Sequence, residues 1–459
     1  MDVDFAGKRV HVIGLGRLGT GRATARALWR RGARVTVSDI KPAEALEDEI
    51  AALADTDIAV QTGDQAYRDL ERAELVVPSP SVPLDLPPLL RARESGARVV
   101  SEIEVAFWLA PCPLIAVTGT KGKTTTVTLL GRLLEDEGKR VLVGGNIGLP
   151  LIELAEAATP EHLLVAEVSS FQLEATERFR PHVAVLLNLL PDHLDRHRTW
   201  EAYREAKARL FANQTPEDAA VICQDDPEAW ALRGRARAAR WPYSIVGPAP
   251  EGGDLAGGWL RVRGEPVCPA EAVQLRGRHN LANALAALVA ARAAGASLTQ
   301  AAETVASFPG VEHRLEVVGE VGGVLFVNDS QATTPEAAAA GVGAFAERVI
   351  LIAGGRAKVH DFTPLARAIA GRGAGLVVLG EAAEEIAAAA EAAGGGTAAR
   401  AGDLAEAVAL AFRAARPGDV VLLSPACASF DMFCDMAERG EAFRRLVQEL
   451  ADRHRSSGG

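Results

Sequence analysis

At 459 residues the chain is too long for one hydrophobic core, and roughly two to four domains are expected. An apolar content of 48% describes a folded globular protein, and no apolar run reaches the length of a membrane span. The net charge of −11 argues against a nucleic-acid surface, which needs clustered cations, and five scattered cysteines without metal-type spacing fit a reducing cytoplasm. The N-terminal residues are charged and show no signal-peptide apolar block.

The first segment reads as a strand over Arg9–Ile13, the turn Gly14-Leu15-Gly16-Arg17-Leu18-Gly19, and a helix to about Arg31. A second strand, Arg34–Ser38, runs into Asp39. This Gly-x-Gly-x-x-Gly turn, with an acid at the end of the next strand, taken alone points to a nicotinamide dinucleotide. Short strands near Leu75–Val77 and Arg98–Val100 alternate with helical patterns, and Pro78–Pro88 falls in loops. The segment reads as a small doubly wound α/β domain.

The second segment opens on Leu114-Ile115-Ala116-Val117, followed by Gly119-Thr120-Lys121-Gly122-Lys123-Thr124-Thr125. A strand, a glycine turn and a helix start make a phosphate cradle, because helix N-terminal N–H groups hold anionic oxygens. Lys123 is placed to reach the outer phosphates and Thr124 to hold Mg²⁺. The spacing departs from the usual P-loop, with two residues between the glycines instead of four. Further strands are expected at Arg140–Val143, Leu163–Val168, Val183–Leu187 and Ala219–Cys223. Hairpins or loops are expected between Trp241 and Ala270, then an amphipathic Ala-rich helix from Asn280 to about Ala293. The third segment starts near Phe308-Pro309-Gly310, with strands at Val324–Asn328, Val349–Ala353, Gly375–Leu379 and Asp419–Leu423. The Ala/Gly-rich run Glu381–Arg400 reads as a surface helix and turn.

Only seven of the 49 basic residues are lysines, so a retained lysine points to a need that arginine does not meet. Glu167, ending a strand beside the cradle, stands where a further Mg²⁺ ligand belongs. The run Asn188-Leu189-Leu190-Pro191-Asp192-His193-Leu194-Asp195-Arg196-His197 crowds acid and imidazole onto the same sheet edge. Lys207, on a following helix, reads either as a solvated lysine or as one carbamylated by CO₂, a modification closed to arginine. Asn280 reads as a helix N-cap, or together with Asn283 as a pair of amides facing a base edge.

These residues together resemble the ATP-dependent Mur ligases of peptidoglycan precursor synthesis. The resemblance rests on Thr118-Gly119-Thr120-Lys121-Gly122-Lys123-Thr124, Glu167-Val168-Ser169-Ser170, Arg278-His279-Asn280-Leu281-Ala282-Asn283 and His313-Arg314, in order along nearly the whole chain. Ser170-Phe171-Gln172-Leu173-Glu174, Asn328-Asp329-Ser330 and Leu423-Ser424-Pro425-Ala426-Cys427-Ala428-Ser429 are similar to the branch that adds D-glutamate to UDP-N-acetylmuramoyl-L-alanine.

The resemblance implies an α/β protein of three domains in series. These are a Rossmann-like N-terminal domain for the UDP substrate (1–103), a P-loop central ATPase domain (104–308) and a Rossmann-like C-terminal amino-acid domain (309–459). It reassigns the first turn from a nicotinamide to the UDP substrate, with Gly14, Leu15, Gly16, Asp39, Ile40 and Lys41 near it. It implies catalytic roles for Lys123, Glu167, His193 and Lys207. It implies ATP contacts from Gly119 to Thr125 and from Asn280, Asn283, Arg314 and Asp329. Thr124, Glu167, His193 and carbamylated Lys207 would ligate magnesium, as two ions. Asn146 and Ser169 would lie near the sugar-peptide, and Thr333, Lys358, Ser429 and Phe430 would hold D-glutamate. Gln331 stands where the family pattern usually has lysine, and Met436 where it is often aromatic. A cytoplasmic monomer that binds neither nucleic acid nor membrane is expected. The alternatives are a sister ligase for another amino acid, a folylpolyglutamate-type ligase, and an ATP- or NAD-sensing binding protein without turnover.

Overall fold

The computed structural model describes residues 3–15, 19–275, 277–357 and 359–457. The expected site residues Gly16 and Lys358 lie outside the described residues. The chain divides into two compact units, Met1–Phe308 with two sheets and Pro309–Gly459 with a third.

The first sheet is wholly parallel, in the order Ala59–Thr62, Arg34–Asp39, Arg9–Ile13, Leu75–Pro78, Arg98–Val99. Strand order reverses at Arg9–Ile13, which opens a crevice at its carboxyl end where the glycine turn begins. Ala59–Thr62 escapes the sequence reading because its four residues, AVQT, carry no buried apolar pair.

In the second sheet Leu114–Thr118 is an interior strand, flanked by His162–Glu167 and Val183–Leu186. All five of its residues are buried, as suits a parallel strand covered on both faces. The register places Val117 beside Glu167 and Thr118 beside Leu186. Three loops far apart in sequence therefore leave the same sheet edge together. The region expected as hairpins or loops extends this sheet with Gly253–Ala256, Trp259–Val262 and Glu265–Pro269, the last two antiparallel.

The Ala-rich helix spans Arg278–Ala293 and is not amphipathic: every residue from Asn283 to Ala291 is buried. It is a core helix, packed on the Lys123–Asp136 helix. Its cap is Gly277, so Asn280 sits in the first turn and is not the N-cap. The two sheets of this unit are joined by Glu104, whose buried carboxylate accepts the backbone N–H groups of Glu177, Arg178 and Phe179 and the Trp108 indole.

The third sheet runs Glu316–Val321, Val324–Asn328, Val420–Leu423, Val349–Gly354, Gly375–Leu379, Ala399–Arg400, with the first pair antiparallel and the rest parallel. Asn328 pairs with Leu423, so the loops beginning at Asp329 and Ser424 start side by side. Among the described residues no helix is long and apolar enough to cross a membrane.

Candidate active site

The cradle forms where Thr118 ends its strand and Lys123–Asp136 begins. Gly122 sits at φ 85°, the left-handed region glycine favours, and a Cβ there would lie 2.3 Å from Asn283 Oδ1. Asn283 donates to Asn280 Oδ1 at 3.1 Å, so the pair braces the loop as well as each other. Asn188 clamps the loop from the opposite strand end: its Oδ1 accepts the Lys121 N–H at 2.8 Å and its Nδ2 donates to the Lys121 carbonyl at 3.0 Å. Lys123 folds back over the loop and donates to the Gly119 and Thr120 carbonyls, both at 3.0 Å. An anion placed here would exchange those neutral acceptors for charged ones, a stronger interaction.

At the mouth of the cradle, Thr124 donates its hydroxyl to Glu167 Oε2 at 2.8 Å. Asn146 Nδ2 donates to the other carboxylate oxygen at 2.8 Å. Glu167 is 3% exposed and these side-chain donors are neutral.

Lys207 is 2% exposed, with Nζ donating to Thr118 Oγ1 at 3.2 Å and the Gly119 carbonyl at 3.0 Å. Burial, and next the charge of Lys123, push its pKa down to about 7. It is therefore not the solvated helix lysine of one reading. Tyr203 lies beneath it, with Nζ 5.0 Å from the ring centroid, and shares a 2.8 Å hydrogen bond with Thr120 Oγ1. His193 adopts φ 53° and stays half exposed, its ring 4.9 Å from Phe171. Thr120 accepts the Leu190 N–H at 2.9 Å, which draws the His193 loop onto the cradle.

The first glycine turn is built differently. Asp39 is buried, and its two oxygens accept the Leu15 and Lys41 N–H groups at 3.1 and 3.0 Å. A Cβ on Gly14 would meet the Ser79 hydroxyl at 2.7 Å. Ile40 is 68% exposed.

In the second unit Asp329 is buried, accepting from Ser424 Oγ at 2.7 Å and the Leu315 N–H at 3.2 Å. Burial raises its pKa to about 6. Arg314 acts on it electrostatically. Thr333 and Ser429 leave the ends of adjacent strands, and Phe430 is 45% exposed. The sequence reading missed Arg439, 3% exposed, which donates to Ser330 Oγ, the Ser330 carbonyl and the Cys427 carbonyl and so ties the two loops together. Thr120 and Asn188 were named within their motifs but not for the bracing they supply, and Tyr203, on the Trp200–Ala208 helix that also carries Lys207, was missed.

A phosphate cradle with a buried carboxylate and a buried amine beside it, in a chain that carries three α/β sheets in series, fits the Mur ligases, and the chain belongs to that family. Residues 117–291 match the family model for the Mur ligase middle domain. Residues 313–427 match the Mur ligase, glutamate ligase domain, and 8–101 the Mur ligase MurD-like, N-terminal domain. The chain is similar to the UDP-N-acetylmuramoylalanine--D-glutamate ligase of Pelotomaculum thermopropionicum, at 45% identity over 97% of this chain and 99% of that protein. The enzyme of the same name from Acidobacterium capsulatum is 44% identical over 97% of each chain. Among solved structures, the UDP-N-acetylmuramate-alanine ligase MurC of Thermotoga maritima shares the fold with TM-score 0.58 at 20% identity, covering 96% of this chain and 99% of that one. The MurF ligase of Thermotoga maritima in complex with ADP does so with TM-score 0.56 at 19% identity, covering 98% and 96%.

Proposed function

We propose that the chain joins the L-alanyl carboxylate of UDP-N-acetylmuramoyl-L-alanine to the amine of D-glutamate, driven by ATP, in peptidoglycan precursor synthesis. What carries this reading is the end-to-end identity with D-glutamate ligases across all three domains. The segments 1–103, 104–308 and 309–459 take the UDP substrate, ATP and the amino acid in turn, within a cytoplasmic monomer.

The residues present fit magnesium: an acceptor-only carboxylate and a hydroxyl meet at the cradle mouth, the hard oxygen donors that ion takes. Two Mg²⁺ ions, held by Thr124, Glu167, His193 and Lys207 as its carbamate, would neutralise charge as phosphate oxygens converge. Lys207 supports the carbamate because its lowered pKa leaves neutral amine near pH 7. That neutral amine adds to CO₂ and releases one proton, so a buried neutral amine becomes an anionic carbamate.

Lys123 and the backbone N–H groups of the cradle hold the β- and γ-phosphates. An alanyl carboxylate oxygen attacks the γ-phosphorus and ADP leaves, giving an acyl phosphate. The neutral D-glutamate amine attacks the acyl carbon and phosphate leaves. Asn280, Asn283, Arg314 and Asp329 contact ATP, and Asn146 and Ser169 orient the sugar-peptide. Gly14, Leu15, Asp39, Ile40 and Lys41 line the uridine side. Thr333, Lys358, Ser429 and Phe430 hold D-glutamate, with the Gln331 amide nearby in the same loop as Thr333.

Phosphate release from ATP tests the reading. Release that requires both UDP-N-acetylmuramoyl-L-alanine and D-glutamate is expected. Release with a different amino acid overturns the D-glutamate assignment, and no release under any combination overturns the ligase.

A further inference from the structure

Two loops leave the strands that flank Leu114–Thr118: one carries Ser169 to Glu174, the other Asp192 to Arg198. They are joined by a chain of three side chains, His197 and Ser170 buried and Glu174 partly exposed. His197 Nδ1 lies 3.0 Å from Glu174 Oε1, and His197 Nε2 lies 2.9 Å from Ser170 Oγ. One tautomer satisfies both contacts, with Nδ1–H donating to the carboxylate and Nε2 accepting from the hydroxyl. The His197 side chain is 1% exposed and Ser170 is 2% exposed, so a hydrolytic nucleophile is ruled out: no substrate reaches that hydroxyl.

The geometry of the second loop shows what the relay holds. His193 and Arg198 both have positive φ, 53° and 66°, on either side of the single turn Leu194–His197. Such a conformation is strained for a residue that carries a Cβ and persists only where its surroundings impose it. The N–H groups of Arg196 and His197 both close on the His193 carbonyl, at 3.1 and 2.9 Å. Phe171 lies against both imidazoles, with centroids 4.9 Å from His193 and 5.2 Å from His197. Pinning His197 therefore pins His193. Arg196 carries the same arrangement outward: its Nη2 donates to Glu174 Oε2 and to the Val82 carbonyl, both at 3.1 Å, and Val82 belongs to the first domain.

We propose that Glu174, His197 and Ser170 form a positioning relay that fixes His193 and Ser169 over the cradle, and that Arg196 anchors this relay to the Val82 loop of the first domain. The proposal deepens the ligase reading and rests on it for the role of His193. None of the three is a catalytic residue; each acts through the loop it holds.

The test uses full-length His197→Phe, which keeps a ring on Phe171 and loses both hydrogen bonds, and His197→Gln, which keeps a donor and an acceptor. Binding of Mn²⁺ in the presence of a non-hydrolysable ATP analogue is read alongside steady-state kinetics. His197→Phe should weaken Mn²⁺ binding and lower kcat, each about 10- to 100-fold, the usual loss when a group behind a metal ligand is removed. The D-glutamate KM should stay within about twofold, and His197→Gln should recover most of both losses. Ser170→Ala, a small change less able to disturb folding, should move Mn²⁺ affinity the same way by a smaller factor. Unchanged Mn²⁺ affinity in both His197→Phe and Ser170→Ala overturns the relay. A wild-type protein with no D-glutamate-dependent turnover overturns the ligase reading instead, and the Mn²⁺ titration still decides the relay.

Discussion

The first two sheets each end a central strand in a glycine turn that opens a helix, yet the two turns offer opposite surroundings. In the first, an internal anion already stands at the turn: Asp39 takes the Leu15 N–H, and the Ser79 hydroxyl lies where a Gly14 Cβ would be. In the second, the cationic Lys123 and Lys207 donate to the loop's own carbonyls, the amides of Asn188 and Asn283 lie against it, and the carboxylate of Glu167 is set back behind Thr124. A helix N-terminus draws anions in either case. What differs is whether the protein supplies the anion itself or leaves that role to a phosphate. The glycine pattern is shared; the neighbouring strand ends decide the ligand.

The largest expected effect comes from removing the cation. Lys123→Ala should lower kcat by about a thousandfold or more in the phosphate-release assay. Next is Lys207. Lys207→Ala should be nearly inactive, and acetate or another small carboxylate should restore part of the rate by occupying the place of the carbamate. Full activity without additive sinks the carbamate. Lys207 also has a stability signature. Its folded pKa of about 7 lies below the ordinary 10.5, so between those values the unfolded chain binds the extra proton and stability rises with pH. In CO₂-free buffer, Lys207→Met should therefore raise the melting temperature by a few degrees at pH 6, with the gain shrinking toward pH 10. A gain independent of pH would contradict burial as the cause.

Gly122→Ala should weaken ATP binding by about tenfold, because the residue is left-handed and its methyl meets Asn283. The smallest effect is expected at the first turn, beside Asp39. Asp39→Asn keeps one acceptor and loses the charge, so the KM for the UDP substrate should rise about threefold with ATP KM unchanged. A larger effect on ATP than on the UDP substrate would erase the distinction between the turns.

The strands that carry the site were legible because each is a short buried β-branched run, as in Leu114–Thr118 and Val183–Leu186. Glu316–Val321 was not, since it is a half-exposed antiparallel edge interrupted by Gly319. The Ala-rich helix misled: alanine marks close helix packing as readily as an amphipathic face, and only tertiary contacts separate the two. Within the site, Lys123, Thr124, Glu167 and Lys207 stood out by motif or by scarcity. Tyr203 and Arg439 did not, and His197 stood out only as the end of its run, because each takes its role from a residue 27 to 109 positions away. Fold closure creates those pairs, and no local pattern announces them.

The acyl phosphate is the central claim, and oxygen transfer tests it most directly. UDP-N-acetylmuramoyl-L-alanine carrying ¹⁸O in its alanyl carboxylate is turned over with ATP and D-glutamate, and the released phosphate is weighed by mass spectrometry. The account predicts that carboxylate oxygen appears in the phosphate, because the oxygen that attacks the γ-phosphorus leaves with it. Phosphate free of the label, from an enzyme that still makes the amide, would contradict it.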